Sequence, residues 1–138
     1  MAEGIEIMGK TDYHEVAELW TEVGMWPHVG EDQNWFAGML ARNPECALVW
    51  REGGRVIGTV VGAWDGLRGW IYHLAVTESE RGRGIGGALL EAAESRLQAM
   101  GVKQINLMVY EQNGKAEAFY ARRCYERSLV KVLRKRFL

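Results

Sequence analysis

Cysteine is scarce in this chain. Cys46 and Cys124 are the two in 138 residues, too few for a disulfide framework and without the paired spacing of a zinc site. Both are expected to stay reduced, and no metal is expected. Long apolar runs are lacking too: none approaches the roughly 18 residues of a membrane span. The opening Met1-Ala2-Glu3-Gly4-Ile5-Glu6 has no basic-then-apolar layout of a signal peptide. These absences point to a cytoplasmic protein with no membrane partner. A second domain is not indicated either: 138 residues, 48% hydrophobic and 25% charged, suit one domain over 1–138 with a core sufficient to fold.

What is present is an uneven charge distribution under a net charge of −1. Residues 1–66 carry 11 acidic and 4 basic side chains, residues 67–138 carry 7 acidic and 13 basic. Either two functional surfaces or merely solvated faces of opposite sign would give this pattern. The basic end (Lys131, Arg134, Lys135, Arg136) does not argue for nucleic acid. An alternating strand would split these residues between faces, no aromatic pattern interleaves them, and the pI is near neutral.

Along the chain, a weak alternation from Glu3 to Met8 predicts a strand. Asp12 followed by Glu15 resembles a capping box opening a helix through Val16, Leu19, Trp20 and Val23. A short helix is expected from Trp35 to Arg42, ended by Asn43-Pro44. Cys46 to Arg51 and Arg55 to Trp64 flank Gly53-Gly54, the two-residue signal of a hairpin. Trp70 to Val76 reads as a central apolar strand. From Gly84 to Met100, Ile85, Leu89, Ala92, Ala93, Leu97 and Met100 recur at helical spacing, and Gly101 supplies the stop. Gln104 to Tyr110 predicts a further strand, Ala116 to Arg123 a helix, and Glu126 to Leu138 closing strands. The order β-α-α-β-β-β-α-β-α-β implies an α/β (α+β) fold with one βαβ unit inside a mixed sheet.

The stretch Arg81-Gly82-Arg83-Gly84-Ile85-Gly86-Gly87 lies between a predicted strand and the helix after it. Glycines there permit close approach, and a helix N-terminus presents unpaired amides with partial positive charge, so the turn is an anion cradle. Arg81 and Arg83 add full charges, which favours a diphosphate over a carboxylate. A tight connection with solvated arginines is the plainer alternative. A dinucleotide fingerprint is the other, but the acidic residue it needs about 20 residues on is missing: Asn106 lies nearest.

Arg81-x-x-Gly84-x-Gly86, preceded by Leu74-Ala75-Val76-Thr77 and followed by Ala88-Leu89-Leu90, resembles the acetyl-CoA motif of the GNAT acetyltransferases. Asn113-Gly114-Lys115-Ala116-Glu117-Ala118-Phe119-Tyr120 resembles that family's Asn-x-x-Ala-x-x-x-Tyr segment, and Gly62 to Gly69 is similar to the YpeA-type bacterial group. The resemblance covers about residues 46–125 and departs at Cys124, where relatives usually carry glycine.

It implies a GNAT-type central mixed, mostly antiparallel sheet with a splayed parallel strand pair and flanking helices. It also implies acetyl-CoA as cosubstrate. Backbone groups of Leu74, Ala75 and Val76 would hold the pantetheine arm, Arg81, Gly82, Arg83, Gly84, Ile85, Gly86 and Gly87 the pyrophosphate, and Asn113 the CoA arm.

Transfer to an amine needs the neutral nucleophile, a donor to the thioester oxygen and an acid for the thiolate. Tyr120 matches the family's acid, and the amide of Leu74 or Ala75 suits the carbonyl oxygen. The strand glutamate that some members use as base falls at Met108 here and is missing, leaving His73 or Glu111 as candidate bases. Cys124 as a nucleophile lacks an evident His or acidic partner. Trp20, Trp26, Trp35 and His28 with Glu22, Glu31 and Asp32 would suit a cationic amine, or else are core and surface. The expected function is acetyl transfer from acetyl-CoA to a primary amine in a ternary complex, the alternative a non-catalytic acetyl-CoA sensor. A homodimer through the closing strands is an allowed assembly.

Overall fold

Gly53 and Gly54 both turn at positive φ, 55° and 78°, the geometry of a two-residue hairpin. They join β2 (Ala47–Glu52) to β3 (Arg55–Trp64) as antiparallel neighbours. The computed structural model describes residues 4–25 and 32–137. The chain divides into two compact units, Met1–Leu107 and Met108–Leu138.

The first unit holds a five-stranded sheet. With β1 (Ile5–Ile7), β4 (Gly69–Val76) and β5 (Ile105–Leu107), the strands lie in the order β1-β2-β3-β4-β5. All neighbours are antiparallel except β4 and β5, which are parallel. A parallel neighbour requires a crossover, here α3 (Ile85–Ala99). Its residues Ile85, Leu89, Ala93 and Leu97 are buried one turn apart. Gly58 of β3 lets α3 close in: a Cβ there would sit 2.9 Å from Leu89 Cδ1.

Side chains alternate across a strand, so Thr59 faces the opposite side from Gly58. That side carries α1 (Tyr13–Glu22) and α2 (Gln33–Arg42), whose Val16, Leu19, Trp20 and Phe36 form a core with Val49, Val61 and Ala75. Fully burying a side chain such as Phe36 contributes about 2–3 kcal/mol.

Asp12 does not cap α1 as its spacing suggested. Its carboxylate accepts from the Gly9 amide (2.8 Å) and from Arg51 Nη2 (2.6 Å), because a buried acid gains more from a guanidinium than from an exposed helix end. Glu15 likewise accepts from the Val56 amide at 3.0 Å. The helix expected from Trp35 starts at Gln33, with Asp32 accepting from the Trp35 amide at 2.8 Å. The strand expected over Gln104 to Tyr110 shortens to Ile105–Leu107.

In the second unit, α4 (Gly114–Ala121) is capped by Asn113, whose side chain accepts from the Ala116 amide at 3.1 Å. Glu126 to Leu138 was expected to form closing strands. Residues 126–137 form none, and position 138 lies outside the described residues. Apolar content does not make a strand by itself, since ladder partners must complete it.

Candidate active site

The site begins at an irregularity in β4. Thr59 pairs with Ala75 and Val61 with Tyr72, so two residues, His73 and Leu74, face one on β3. This is a β-bulge, and His73 takes it up at φ 48°, a left-handed conformation costly for a side chain with a Cβ. Three contacts pin it. Thr59 Oγ1 donates to the His73 carbonyl (2.8 Å) and accepts from Trp20 Nε1 (2.9 Å), and the Trp20 and His73 rings stack at 4.1 Å. Thr59 and Trp20 are buried. The pairing of β4 with β5 covers Gly69, Trp70 and Ile71 only, so it stops before the bulge. Leu74, Ala75 and Val76 follow on the stretch beyond it.

After β4, Thr77 and a single turn of 3-10 helix at Glu78–Glu80 lead into the glycine segment. Thr77 Oγ1 donates to Glu22 (2.8 Å), which also accepts from the Glu78 amide (3.0 Å); these bonds, the backbone one foremost, hold the Glu22 carboxyl below its ordinary pKa. Gly82 and Gly84 stand at φ 85° and 81°, and a Cβ at either would meet no atom within 4 Å. Both observations describe a turn that glycine alone fits easily, open to solvent. Gly84 is the N-cap of α3 and has no side chain to cap it. The first intrahelical bond runs from Ala88 N to Gly84 O, so the amides of Ile85, Gly86 and Gly87 precede the ladder.

The arginines of the turn are less simple than their charges suggested. Arg83 is clamped by Glu52 (2.7 Å) and Glu80 (2.8 Å), and these bonds raise its pKa. Arg81 Nε donates to the Val76 carbonyl at 3.0 Å. The cradle therefore offers backbone amides first, with Arg83 already neutralised.

In the second unit, Asn113 Oδ1 is used as a helix cap, so a donor contact from this side chain falls to its Nδ2 amide. Half-buried Tyr120 packs edge-on against Phe119 (5.2 Å) and Tyr125 (5.6 Å), and burial pushes its pKa up to about 12. Glu111 is exposed in the turn before α4, and Met108 is exposed as well.

Cys124 keeps the turn that glycine usually makes. It stands at φ 69°, with Cys124 N bonded to Ala121 O and Tyr125 N to Tyr120 O, the paired closure of a left-handed helix cap.

A family model described as the acetyltransferase (GNAT) family matches residues 11–124. The chain belongs to the GNAT acetyltransferase family. An acetyltransferase of Yersinia enterocolitica is 32% identical over 97% of this chain and 95% of its own length. One from Sodalis glossinidius is 33% identical over 97% and 95%. The fold is shared with the PaiA N-acetyltransferase of Thermoplasma acidophilum, solved in complex with coenzyme A (TM-score 0.75, 18% identity, 89% of each chain). It is shared also with Ard1 of Thermoplasma volcanium (TM-score 0.78, 24% identity, 86% of this chain and 79% of that one). The protein is thus an acetyl-CoA-dependent N-acetyltransferase of bacterial GNAT type, with the expected mixed sheet and single parallel pair.

Several residues of this acetyltransferase carried no signal in the sequence. Thr59, 14 residues before His73, and Glu52, 31 before Arg83, act through tertiary contacts alone. Of the expected acceptor cluster, Trp20 is core, Glu22 and Asp32 serve backbone and hydroxyl groups, and Trp35 lines a cavity. Trp26, His28 and Glu31 lie outside the described residues. Among the described residues no group of three potential metal ligands occurs, and no helix is long and apolar enough to cross a membrane.

Proposed function

We propose that this acetyltransferase, acting in the cytoplasm as one catalytic domain over 1–138, moves the acetyl group from acetyl-CoA to a primary amine by direct attack in a ternary complex. The reading is carried by one observation: an open amide cradle at Gly82–Gly87 follows, after one 3-10 turn, a strand whose pairing with β5 stops before the bulge. A diphosphate suits the amides of Ile85, Gly86 and Gly87. The amide-rich pantetheine arm suits the backbone of Leu74, Ala75 and Val76, which offers donors and acceptors in the manner of an added strand. Arg81 supplies charge at the cradle, Arg83 joins once it exchanges its carboxylates for phosphate, and Asn113 contacts the arm. No metal, nucleic acid or membrane enters this account.

The bound acetyl-CoA supplies the activated acetyl group. The Leu74 or Ala75 amide is placed to stabilise the carbonyl oxygen as it gains charge. His73 is taken as the base ahead of Glu111, a choice supported by its place in the lining of the pocket beside the bulge. Tyr120 answers the departing sulfur. With a pKa of about 12 against about 8.5 for a thiol, full proton transfer would be uphill by about 5 kcal/mol. The phenol therefore works as a hydrogen-bond donor to the thiolate, protonated throughout the working pH range.

The test is acceptor-dependent thiol release over a panel of amines, polyamines, amino acids and peptides. Turnover that falls in Tyr120→Phe supports the assignment; unchanged turnover removes Tyr120 from it. Tight acetyl-CoA binding with no turnover on any amine would favour a non-catalytic sensor, the reading that the missing strand glutamate at Met108 allows.

A further inference from the structure

Between α2 and the sheet lies a cavity of about 220 Å³. Trp35 and Met39 of α2 form one wall, Val61 and Ala63 of β3 the floor, and Tyr72 and His73 of β4 the end beside the bulge. It takes its shape from the bulge itself, which sets Tyr72 and Ala75, three residues apart, on one face of β4 and swings His73 between them.

The chemistry of the lining is one-sided. Among the described residues, no Asp, Glu, Lys or Arg lines it. Asn43 also borders the cavity, but its Oδ1 already accepts from the Trp64 amide at 2.9 Å. The Tyr72 phenol is kept neutral, since burial first and Asp65 second raise its pKa. A second ammonium group entering here would shed hydration and find no carboxylate among the described lining residues to replace it. An apolar group would lose nothing and would gain aromatic walls. In size, an apolar cavity of about 150 Å³ holds benzene, so this one accommodates a ring or branched alkyl group with a short linker.

We infer that the acceptor of this acetyltransferase is a small primary monoamine bearing one aromatic or branched aliphatic group, which seats in the Trp35–Met39–Tyr72–His73 cavity and presents its nitrogen at the bulge. The inference rests on the acetyl-transfer reading above and adds the substrate class. In the step itself the amine lone pair forms the new C–N bond at the thioester carbonyl and the C–S bond breaks. The amine's proton passes to His73 or water, and the sulfur leaves as thiolate and is protonated to free CoA. Polyamines and other multiply charged amines are disfavoured here, since no described lining residue is a carboxylate that would pair with a second ammonium group.

The experiment measures kcat/KM with phenethylamine and isoamylamine against putrescine and ethylamine, in the wild-type chain and in Ala63→Phe and Met39→Trp, each of which fills the cavity from a different element. Acetyl-CoA affinity is read calorimetrically in every variant. Expected are a preference of at least tenfold for phenethylamine or isoamylamine over putrescine, and its collapse in a folded filling variant that still binds acetyl-CoA and still turns over ethylamine. A preference for putrescine, or a preference untouched in both filling variants, overturns the substrate class alone. Acetyl-CoA binding without turnover on any amine overturns the acetyl-transfer reading and this inference with it.

Discussion

Removing the hydroxyl of Thr59 is the perturbation that isolates what holds the bulge. Thr59 is wholly buried, and its one oxygen both accepts from Trp20 Nε1 (2.9 Å) and donates to the His73 carbonyl (2.8 Å). Thr59→Val keeps the shape and deletes both bonds. The buried indole N–H then loses this acceptor, at about 1–3 kcal/mol, and the half-buried His73 carbonyl loses its donor, at about 1 kcal/mol. The sum is a destabilisation of about 2–4 kcal/mol, read as a shift of the urea midpoint at unchanged slope. Thr59→Ser keeps the oxygen and loses one methyl, for about 1 kcal/mol. Because the lost bond also releases the strained φ at His73, kcat/KM should fall further in Thr59→Val than in Thr59→Ser under conditions where both are fully folded. A Thr59→Val variant within about 0.5 kcal/mol of the wild type, or a Thr59→Ser variant equally damaged, would refute the reasoning that the hydroxyl pins the bulge.

Cys124→Gly should stabilise the chain by about 1 kcal/mol in a urea titration, because glycine relieves the left-handed φ of 69° at the end of α4. Glu52→Gln leaves Arg83 with Glu80 as its remaining carboxylate partner. Acetyl-CoA affinity by calorimetry is then expected to rise about twofold at low salt, with the gain shrinking as salt is added. The raised pKa of Tyr120 fixes a pH effect. Its folded value of about 12 exceeds the unfolded value near 10, so its contribution to stability is complete below pH 10 and lost as pH rises toward 12. Urea midpoints at pH 9 and 11.5 should fall less in Tyr120→Phe than in the wild type.

Sequence reading reached the parts of the fold that are decided locally. The Gly53-Gly54 hairpin follows from two residues' φ, and α3 from a one-turn repeat of buried positions ended by Gly101, itself at φ 99°. The conformation of the Gly82–Gly84 turn was legible for the same reason. Contacts between distant residues were not. Nothing in the neighbourhood of His73 signals a left-handed backbone, because its cause is a hydroxyl 14 residues away and an indole stacked on the ring. The charge of Arg83 was visible, but its neutralisation by Glu52 depends on the turn of the β2–β3 hairpin bringing that carboxylate to the cradle. Residues 126–137 were expected to form strands and form none, since a ladder requires a partner that apolar content alone cannot provide.

Titration with acetyl-CoA, in the wild-type chain and in Gly84→Val checked for native circular dichroism, tests the central claim most directly. The account predicts saturable binding that is lost, or weakened by at least tenfold, in the folded variant, because a β-branched residue at φ 81° cannot hold the turn that aims the α3 amides at the diphosphate. No binding to the wild type, or equal binding to a folded Gly84→Val, would contradict it.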